Sequence, residues 1–89
     1  MVYIRIYGVL SKDIGRSHVE VAFGGSTLAD LVDQMAGQYG PAVKSELLDE
    51  EGNLDFAYGV FKAGDRIMDL KATVEDGAEI VIVNMLGGG

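Results

Sequence analysis

The sequence contains no cysteine and only one histidine, which excludes several kinds of chemistry. Without a thiol, the chain can form no disulfide, thiolate metal site, iron–sulfur cluster or cysteine nucleophile. A metal site or catalytic triad at His18 would need several distant partners, because no second histidine or cysteine is available. We therefore interpret His18 as an exposed strand residue and expect no bound metal.

Basic residues are also scarce. Seven Lys and Arg stand against fourteen Asp and Glu, which gives a net charge of −7. This charge repels the phosphates of nucleic acids and of anionic lipids, so neither nucleic acid nor a membrane is an expected partner. It would attract a basic surface on another protein, although an acidic balance also favours solubility by itself.

Long hydrophobic runs are missing as well. No segment approaches membrane-spanning length, and residues 1–7 alternate in character, unlike the apolar part of a signal peptide. A cytoplasmic location is the default expectation. With 89 residues, of which 48% are hydrophobic, the chain is predicted to form one domain around one core. An enzyme cleft between two layers would have little room in it.

Alternating apolar residues predict two strands near the start of the chain. Every second residue is apolar from Val2 to Ile6 and again from Val19 to Phe23, so each strand is expected to bury one face. The polar segment 8–17 between them predicts a hairpin with a long loop.

One long helix is predicted next. Thr27 followed by Asp30 is typical of a capped helix start, and Gly24–Gly25 before it is interpreted as a turn. Apolar residues then recur at helical spacing from Leu28 to Tyr39, which predicts a helix lying on a sheet. A second, short helix is predicted over 42–48, with Pro41 in its first turn.

The second half of the chain predicts three further strands, at 56–62, 66–70 and 79–85. The segment 66–70 is interpreted as an edge strand, and 79–85 as a central strand because it is apolar on both faces. The simplest packing for this order is a mixed sheet of four to five strands on one main helix, an α+β fold.

Three stretches resemble the ubiquitin-like sulfur carriers, a family that includes the small subunit of molybdopterin synthase and the thiamine-pathway sulfur carrier. They are the strand-to-helix junction Gly25-Ser26-Thr27-Leu28-Ala29-Asp30-Leu31-Val32, the turn and strand Val74-Glu75-Asp76-Gly77-Ala78-Glu79-Ile80-Val81-Ile82, and the terminal glycines 87–89. The resemblance implies a β-grasp, ubiquitin-like domain over residues 1–83 and a flexible glycine tail over residues 84–89.

The resemblance also implies a carrier rather than an enzyme. A partner of the ubiquitin-activating type would use ATP to adenylate the carboxylate of Gly89, or of Gly88 if the chain is trimmed. Sulfur would then convert this group into a thiocarboxylate for an acceptor such as the molybdopterin synthase large subunit. Gly87 and Gly88 would thread into the partner, because glycine lacks a Cβ. No cofactor is expected on the chain itself.

A docking surface is predicted from the alternation in the last strand. If Ile80 and Ile82 face the helix, their neighbours point to the other side of the sheet, where a partly exposed apolar patch would mark a partner surface. The predicted partner-binding residues are Tyr3, Tyr7, Val81, Val83, Met85 and Leu86.

Two alternative functions remain open. A ubiquitin-like modifier would use the same glycine to form isopeptide bonds with lysines of target proteins, and a β-grasp binding module would use no tail chemistry. Other motifs are interpreted as structural. The acidic loop 49–55 lacks the glutamate of a calcium loop, with Val60 in its place, and Gly24 to Thr27 lack a phosphate-loop lysine.

Overall fold

The computed structural model describes residues 1–85, in which strands and helices follow each other closely along the chain. In chain order the elements are β1 (Val2–Tyr7), α1 (Val9–Ile14), β2 (His18–Val21), β3 (Gly25–Thr27), α2 (Leu28–Tyr39), α3 (Ala42–Leu47), β4 (Tyr58–Lys62), β5 (Asp65–Ile67), β6 (Thr73–Glu75) and β7 (Glu79–Asn84). Five strands form one sheet in the order β2-β1-β7-β4-β5, and β3 pairs with β6. The predicted α+β architecture is confirmed.

The core lies between the five-stranded sheet and α2. β1 and β7 are parallel, and their register places Ile4 beside Ile80 and Ile6 beside Ile82. All four isoleucines are almost completely buried in one cluster with the apolar side of α2. Each such side chain contributes roughly 1.5–3 kcal/mol relative to an exposed one. The apolar spacing predicted for α2 is confirmed, since its buried residues are Leu28, Leu31, Val32 and Met35.

The predicted N-terminal cap of α2 is confirmed, and Ser26 takes part in it as well. The Thr27 hydroxyl oxygen accepts a hydrogen bond from the Asp30 amide at 3.3 Å. The Asp30 carboxylate accepts a hydrogen bond from the Ser26 hydroxyl. The hydrogen bond from Ser26, and to a smaller extent the hydrogen bonding with Thr27, lowers the pKa of Asp30 below its usual value.

The long loop predicted for residues 8–17 is wrong, because the connection contains α1. This helix places Leu10 in the core with no exposed surface, and it ends at Gly15 in the left-handed conformation. A helix of six residues with one buried side chain repeats its pattern too few times to be recognised from spacing.

The interpretation of Gly25 as part of a turn before α2 is also wrong. Gly25–Thr27 form the short strand β3, which pairs antiparallel with β6, a strand that the sequence did not predict. Val74 in β6 is completely buried, so this small second sheet closes one end of the core. Each of the two strands has three residues, which is too short for alternation to be visible.

The remaining elements follow the predictions with shifted ends. Pro41 precedes α3 as its N-cap instead of lying in its first turn. β4 begins at Tyr58, two residues later than predicted, and β5 forms the predicted edge strand with different ends. β7 is central, between β1 and β4, and extends to Asn84, one residue beyond the predicted domain boundary. The division into domain and tail stays a prediction, because residues 86–89 lie outside the described part.

A hydrogen bond between two side chains joins α3 to β4. The hydroxyl of buried Tyr58 donates to a Glu46 carboxylate oxygen at 3.0 Å. Burial of the phenol, together with this hydrogen bond, raises the pKa of Tyr58 to about 12. The ordinary value in an unfolded chain is about 10.

We expect Tyr58 to make folding stability depend on alkaline pH. Because its pKa is higher in the folded state, its contribution is complete below about pH 10 and is lost as pH rises towards about 12. Urea unfolding of the wild type and of Tyr58→Phe should be measured across this range. The free energy of unfolding of the wild type relative to that of the variant should fall as the pH rises. A constant difference would show that Tyr58 titrates normally in the folded protein.

Gly8 is the one residue between β1 and α1, and we expect Gly8→Ala to destabilise the fold by about 2–3 kcal/mol. Its φ of +106° disfavours any side chain, and an added Cβ would lie 2.7 Å from the Asn84 Cβ. Gly37→Ala is the control, since Gly37 lies in α2 with nothing within 4 Å of an added Cβ. Chemical unfolding should show a gain of up to about 1 kcal/mol for the control. A gain in both variants would contradict the geometry at Gly8.

Candidate functional site

The face of the sheet that points away from α2 is formed by alternate residues of β1 and β7. Tyr3 and Tyr7 on β1 are 45% and 50% exposed, and Arg5 between them is exposed as well. In the register of the two strands, Arg5 lies beside Val81 and Tyr7 beside Val83. Both valines are half-buried, whereas Ile80 and Ile82 are in the core.

The neighbouring strand β4 extends the apolar part of this face. Val83 is opposite Gly59, and Val81 is opposite the half-buried Phe61. A Cβ on Gly59 would lie 2.7 Å from the Phe61 ring and 3.0 Å from the Met85 sulfur. The missing side chain thus leaves space that the Met85 side chain occupies. We name this surface the apolar half; it consists of Tyr7, Gly59, Phe61, Val81, Val83 and Met85.

Met85 is where the described chain leaves the sheet. Its amide donates a hydrogen bond of 2.6 Å to the carbonyl oxygen of Ala57, so the backbone is still held against the start of β4. Its side chain is 46% exposed, and that of Phe56, next to Ala57 in the sequence, is 72% exposed. Met85 therefore lies at the edge of the apolar half, and Leu86 and the three glycines follow it in the sequence.

The β2 side of the same face carries charged groups around an open groove of about 700 Å³. Across β1 and β2, Arg5 pairs with His18 and Tyr3 pairs with Glu20, while Glu79 lies beside Tyr3 on β7. We name this surface the charged half; it consists of Arg5, Arg16, His18, Glu20 and Glu79. The sheet face therefore combines an apolar half around Met85 with a charged half further from it.

The predicted partner-binding residues within the described range do lie together. Tyr3, Tyr7, Val81, Val83 and Met85 share this one face. Their role in binding stays a prediction, and Leu86, Gly87, Gly88 and Gly89 lie outside the described residues.

Sequence reasoning missed several residues of the face. Phe61 and Gly59 join it only through the pairing of β4 with β7, which connects segments distant in sequence. The sequence predicts Phe56 in a strand, but this residue lies in the loop before β4. Arg5 also belongs to this face. Its alternation with the apolar residues Ile4 and Ile6 is visible in the sequence and indicates that Arg5 points away from the core.

His18 and the acidic loop have the surroundings that the sequence predicted. His18 is exposed, and its ring Nδ1 lies 3.2 Å from the Ser17 hydroxyl. The Asp49 carboxylate accepts hydrogen bonds from the amides of Glu51 and Asn53, which closes the acidic loop as a turn. Within residues 1–85, no three carboxylate or histidine side chains cluster closely enough to hold a metal ion. Over the same range, no helix has the length and hydrophobicity needed to cross a membrane.

Comparison with known proteins identifies the fold. No family model matches the sequence, and neither does any curated protein. Among solved structures, a chain of the BexX/CysO complex from Amycolatopsis orientalis aligns with a TM-score of 0.84 and 24% identity, over 100% of both chains. SAMP1 from Haloferax volcanii aligns with a TM-score of 0.80 and 22% identity, over 99% of this chain and 98% of that one. The chain has the ubiquitin-like β-grasp fold.

A third structure extends the comparison of the β-grasp domain. The HVO 2177 protein of Haloferax volcanii aligns with a TM-score of 0.69 and 19% identity, over 99% of this chain and 85% of that one. The predicted resemblance to ubiquitin-like sulfur carriers is thereby confirmed for the fold. At these identities the similarity concerns the arrangement of strands and helices.

We expect the two faces of β7 to respond differently to a charge. Val83→Asp should lower the free energy of unfolding by roughly 1 kcal/mol, because Val83 is half-buried and the carboxylate can reach water. Ile82→Asp, one residue away, should cost roughly 4 kcal/mol or prevent folding, because it buries an unpaired charge. Urea unfolding of both variants checks this difference. Equal losses of stability would show that Val83 is buried as deeply as Ile82, so that the apolar half is not accessible to a partner.

Proposed function

We propose that this β-grasp domain is a sulfur carrier whose C-terminal glycine carboxylate is adenylated and converted into a thiocarboxylate. The observation that carries the proposal is the position of Met85. Its amide is still hydrogen-bonded to the domain, and only Leu86 separates it from three glycines in the sequence. Chain ends of this composition fit a narrow site, because glycine lets the backbone approach a nucleotide closely.

The chemistry requires a partner, because a carboxylate is a poor electrophile. The Gly89 carboxylate oxygen attacks the α-phosphorus of ATP on the adenylating enzyme, and pyrophosphate leaves. Hydrosulfide from a donor then attacks the acyl carbon, which forms the thiocarboxylate, and AMP leaves with the activated oxygen. The chain supplies the acyl group, and the partner supplies the catalyst. Since the reaction consumes ATP, the cytoplasm is the expected location.

The length of the chain beyond Met85 limits where this reaction takes place. Four residues span at most about 14 Å when fully extended. The reacting site of the partner therefore lies within about 14 Å of Met85 while the enzyme contacts the domain. The apolar half surrounds the same point, so we propose it as the docking surface for the adenylating enzyme and for the sulfur acceptor. Its aromatic residues and methionine belong to the types enriched in protein interfaces.

The acceptor that we propose is the large subunit of molybdopterin synthase, with this chain as the small subunit. This assignment is supported by the resemblance of residues 25–32 to the strand-to-helix junction of the molybdopterin group, whereas residues 74–82 resemble the wider sulfur-carrier family. The similar structures support the wider class, since one comes from the BexX/CysO complex and a further one, from Haloferax volcanii, is described as small archaeal modifier protein 1. That second description favours a ubiquitin-like modifier as the alternative function.

The absence of cysteine gives a clean test of the proposal. After incubation with an adenylating enzyme, ATP and a sulfur donor, a thiocarboxylate would be the only sulfur nucleophile of thiol type in the chain. Iodoacetamide should then add one label, located in the C-terminal peptide by mass spectrometry. The label separates sulfur transfer from methionine oxidation, which changes the mass by nearly the same amount. Conjugates with larger proteins would indicate the ubiquitin-like modifier. If neither the label nor conjugates form, the β-grasp binding module is the remaining function.

Deleting Gly88 and Gly89 should abolish labelling and leave the unfolding midpoint nearly unchanged. The change removes the proposed acyl group without touching any core residue of the described domain. Gly37→Ala is the matched control, since it alters an exposed glycine of α2 and should be labelled like the wild type. Labelling of the deletion variant would contradict the proposal. A large loss of stability would show that these glycines are part of the folded core.

A further inference from the structure

We propose that the charged half is a second contact region for the adenylating enzyme, in which Arg5 and Arg16 bind carboxylates of the partner. The inference rests on the proposed function, and it adds the determinant of partner choice. It assigns a role to residues outside the apolar patch predicted from the sequence.

The position of Arg5 is the first argument. On β1 it lies between the exposed residues Tyr3 and Tyr7, and across the sheet it has Val81 on one side and His18 on the other. It therefore occupies the boundary between the charged half and the apolar half. Arginine and tyrosine are over-represented among residues that dominate binding energy, especially near the centre of an interface.

The lack of internal partners is the second argument. Within residues 1–85, the ion pairs join Met1 to Asp76, Lys44 to Asp33 and Lys62 to Glu75, so none of them uses an arginine. Glu20 and Glu79 both lie opposite Tyr3, which places them diagonally to Arg5. Diagonal neighbours on a sheet are about 7–8 Å apart, a distance that a long side chain can span, yet none of the three ion pairs in the described part of the chain joins Arg5 to either glutamate.

Charge complementarity identifies the chemistry of the partner surface. The net charge of −7 attracts a basic partner at long range. The guanidinium groups of Arg5 and Arg16 fit carboxylates, which they can bind with two parallel hydrogen bonds. The expected partner surface is therefore basic overall, with acidic side chains opposite these two arginines and basic side chains opposite Glu20 and Glu79 of the same groove. A partner with lysines opposite Arg5 and Arg16 would be disfavoured, because the like charges repel each other.

The test measures the kinetics of the adenylating enzyme that labels the wild-type chain. We expect Arg5→Glu to raise KM for the chain roughly tenfold and to change kcat by less than about twofold, because contacts are lost on docking and not in the reaction. Lys12→Glu is the matched control, since it changes the net charge equally at an exposed position of α1 outside the groove. Its KM should stay within about twofold of the wild type.

Two further variants protect the test against a folding defect. Arg5→Gln removes the charge without adding a carboxylate near Glu20 and Glu79. Arg16→Glu changes an exposed residue in the loop between α1 and β2, outside the strands of the sheet. Both should raise KM while their unfolding midpoints stay close to that of the wild type. The wild-type KM should also rise with salt more steeply than that of Arg5→Gln.

The outcomes separate this inference from the proposed function. If the wild type is adenylated and the arginine variants match Lys12→Glu in KM, the inference is overturned and the carrier function stands. If no adenylation of the wild type occurs, the proposed function fails and the inference falls with it. A lower kcat at unchanged KM would also overturn the inference, because the arginines would then act in the reaction instead of in docking.

Discussion

The parallel pairing of β1 with β7 is the constraint on which the rest of the structure depends. Its register places Ile4 beside Ile80 and Ile6 beside Ile82, so that all four side chains meet α2. Because strand side chains alternate, the same register sends Tyr3, Arg5, Tyr7, Val81 and Val83 to the opposite face. A slip by one residue would exchange the faces, exposing the isoleucines and burying an arginine. Core packing therefore also selects which residues are available to a partner.

The end of β7 links this surface to the proposed chemistry. Met85 is fixed by the Ala57 carbonyl and lies over Gly59, where a side chain would collide with it. Gly8 has a similar relation to Asn84 on the other side of the strand. Two glycines on neighbouring elements thus allow the last described residues to lie close against the sheet. A partner that contacts the apolar half is then within the reach of the four residues that follow.

The parts of the fold that the sequence predicted well are those with long, regular patterns. β1, α2 and β7 each repeat their apolar spacing several times, and their burial agrees with it. α1, β3 and β6 have three to six residues, so their patterns end before they can be recognised. Their structure is decided by tertiary pairing and by single buried residues such as Leu10 and Val74.

The candidate site divides in the same way. Alternation along one strand was enough to predict that Val81 and Val83 share a face with Tyr3 and Tyr7. The contribution of Phe61 depends on pairing between β4 and β7, and no local pattern contains that information. The role of the terminal glycines came from resemblance, because a glycine run without a partner has no geometry that specifies a reaction.

The central claim is that the free carboxylate at the chain end is the group that becomes activated. ATP–pyrophosphate exchange by the adenylating enzyme tests it directly, with the natural chain and with a semisynthetic chain whose C-terminal carboxylate is replaced by an amide. The two chains share every side chain, so docking should be the same. The account predicts exchange that depends on the natural chain and is absent with the amide. Equal exchange with both chains would contradict it.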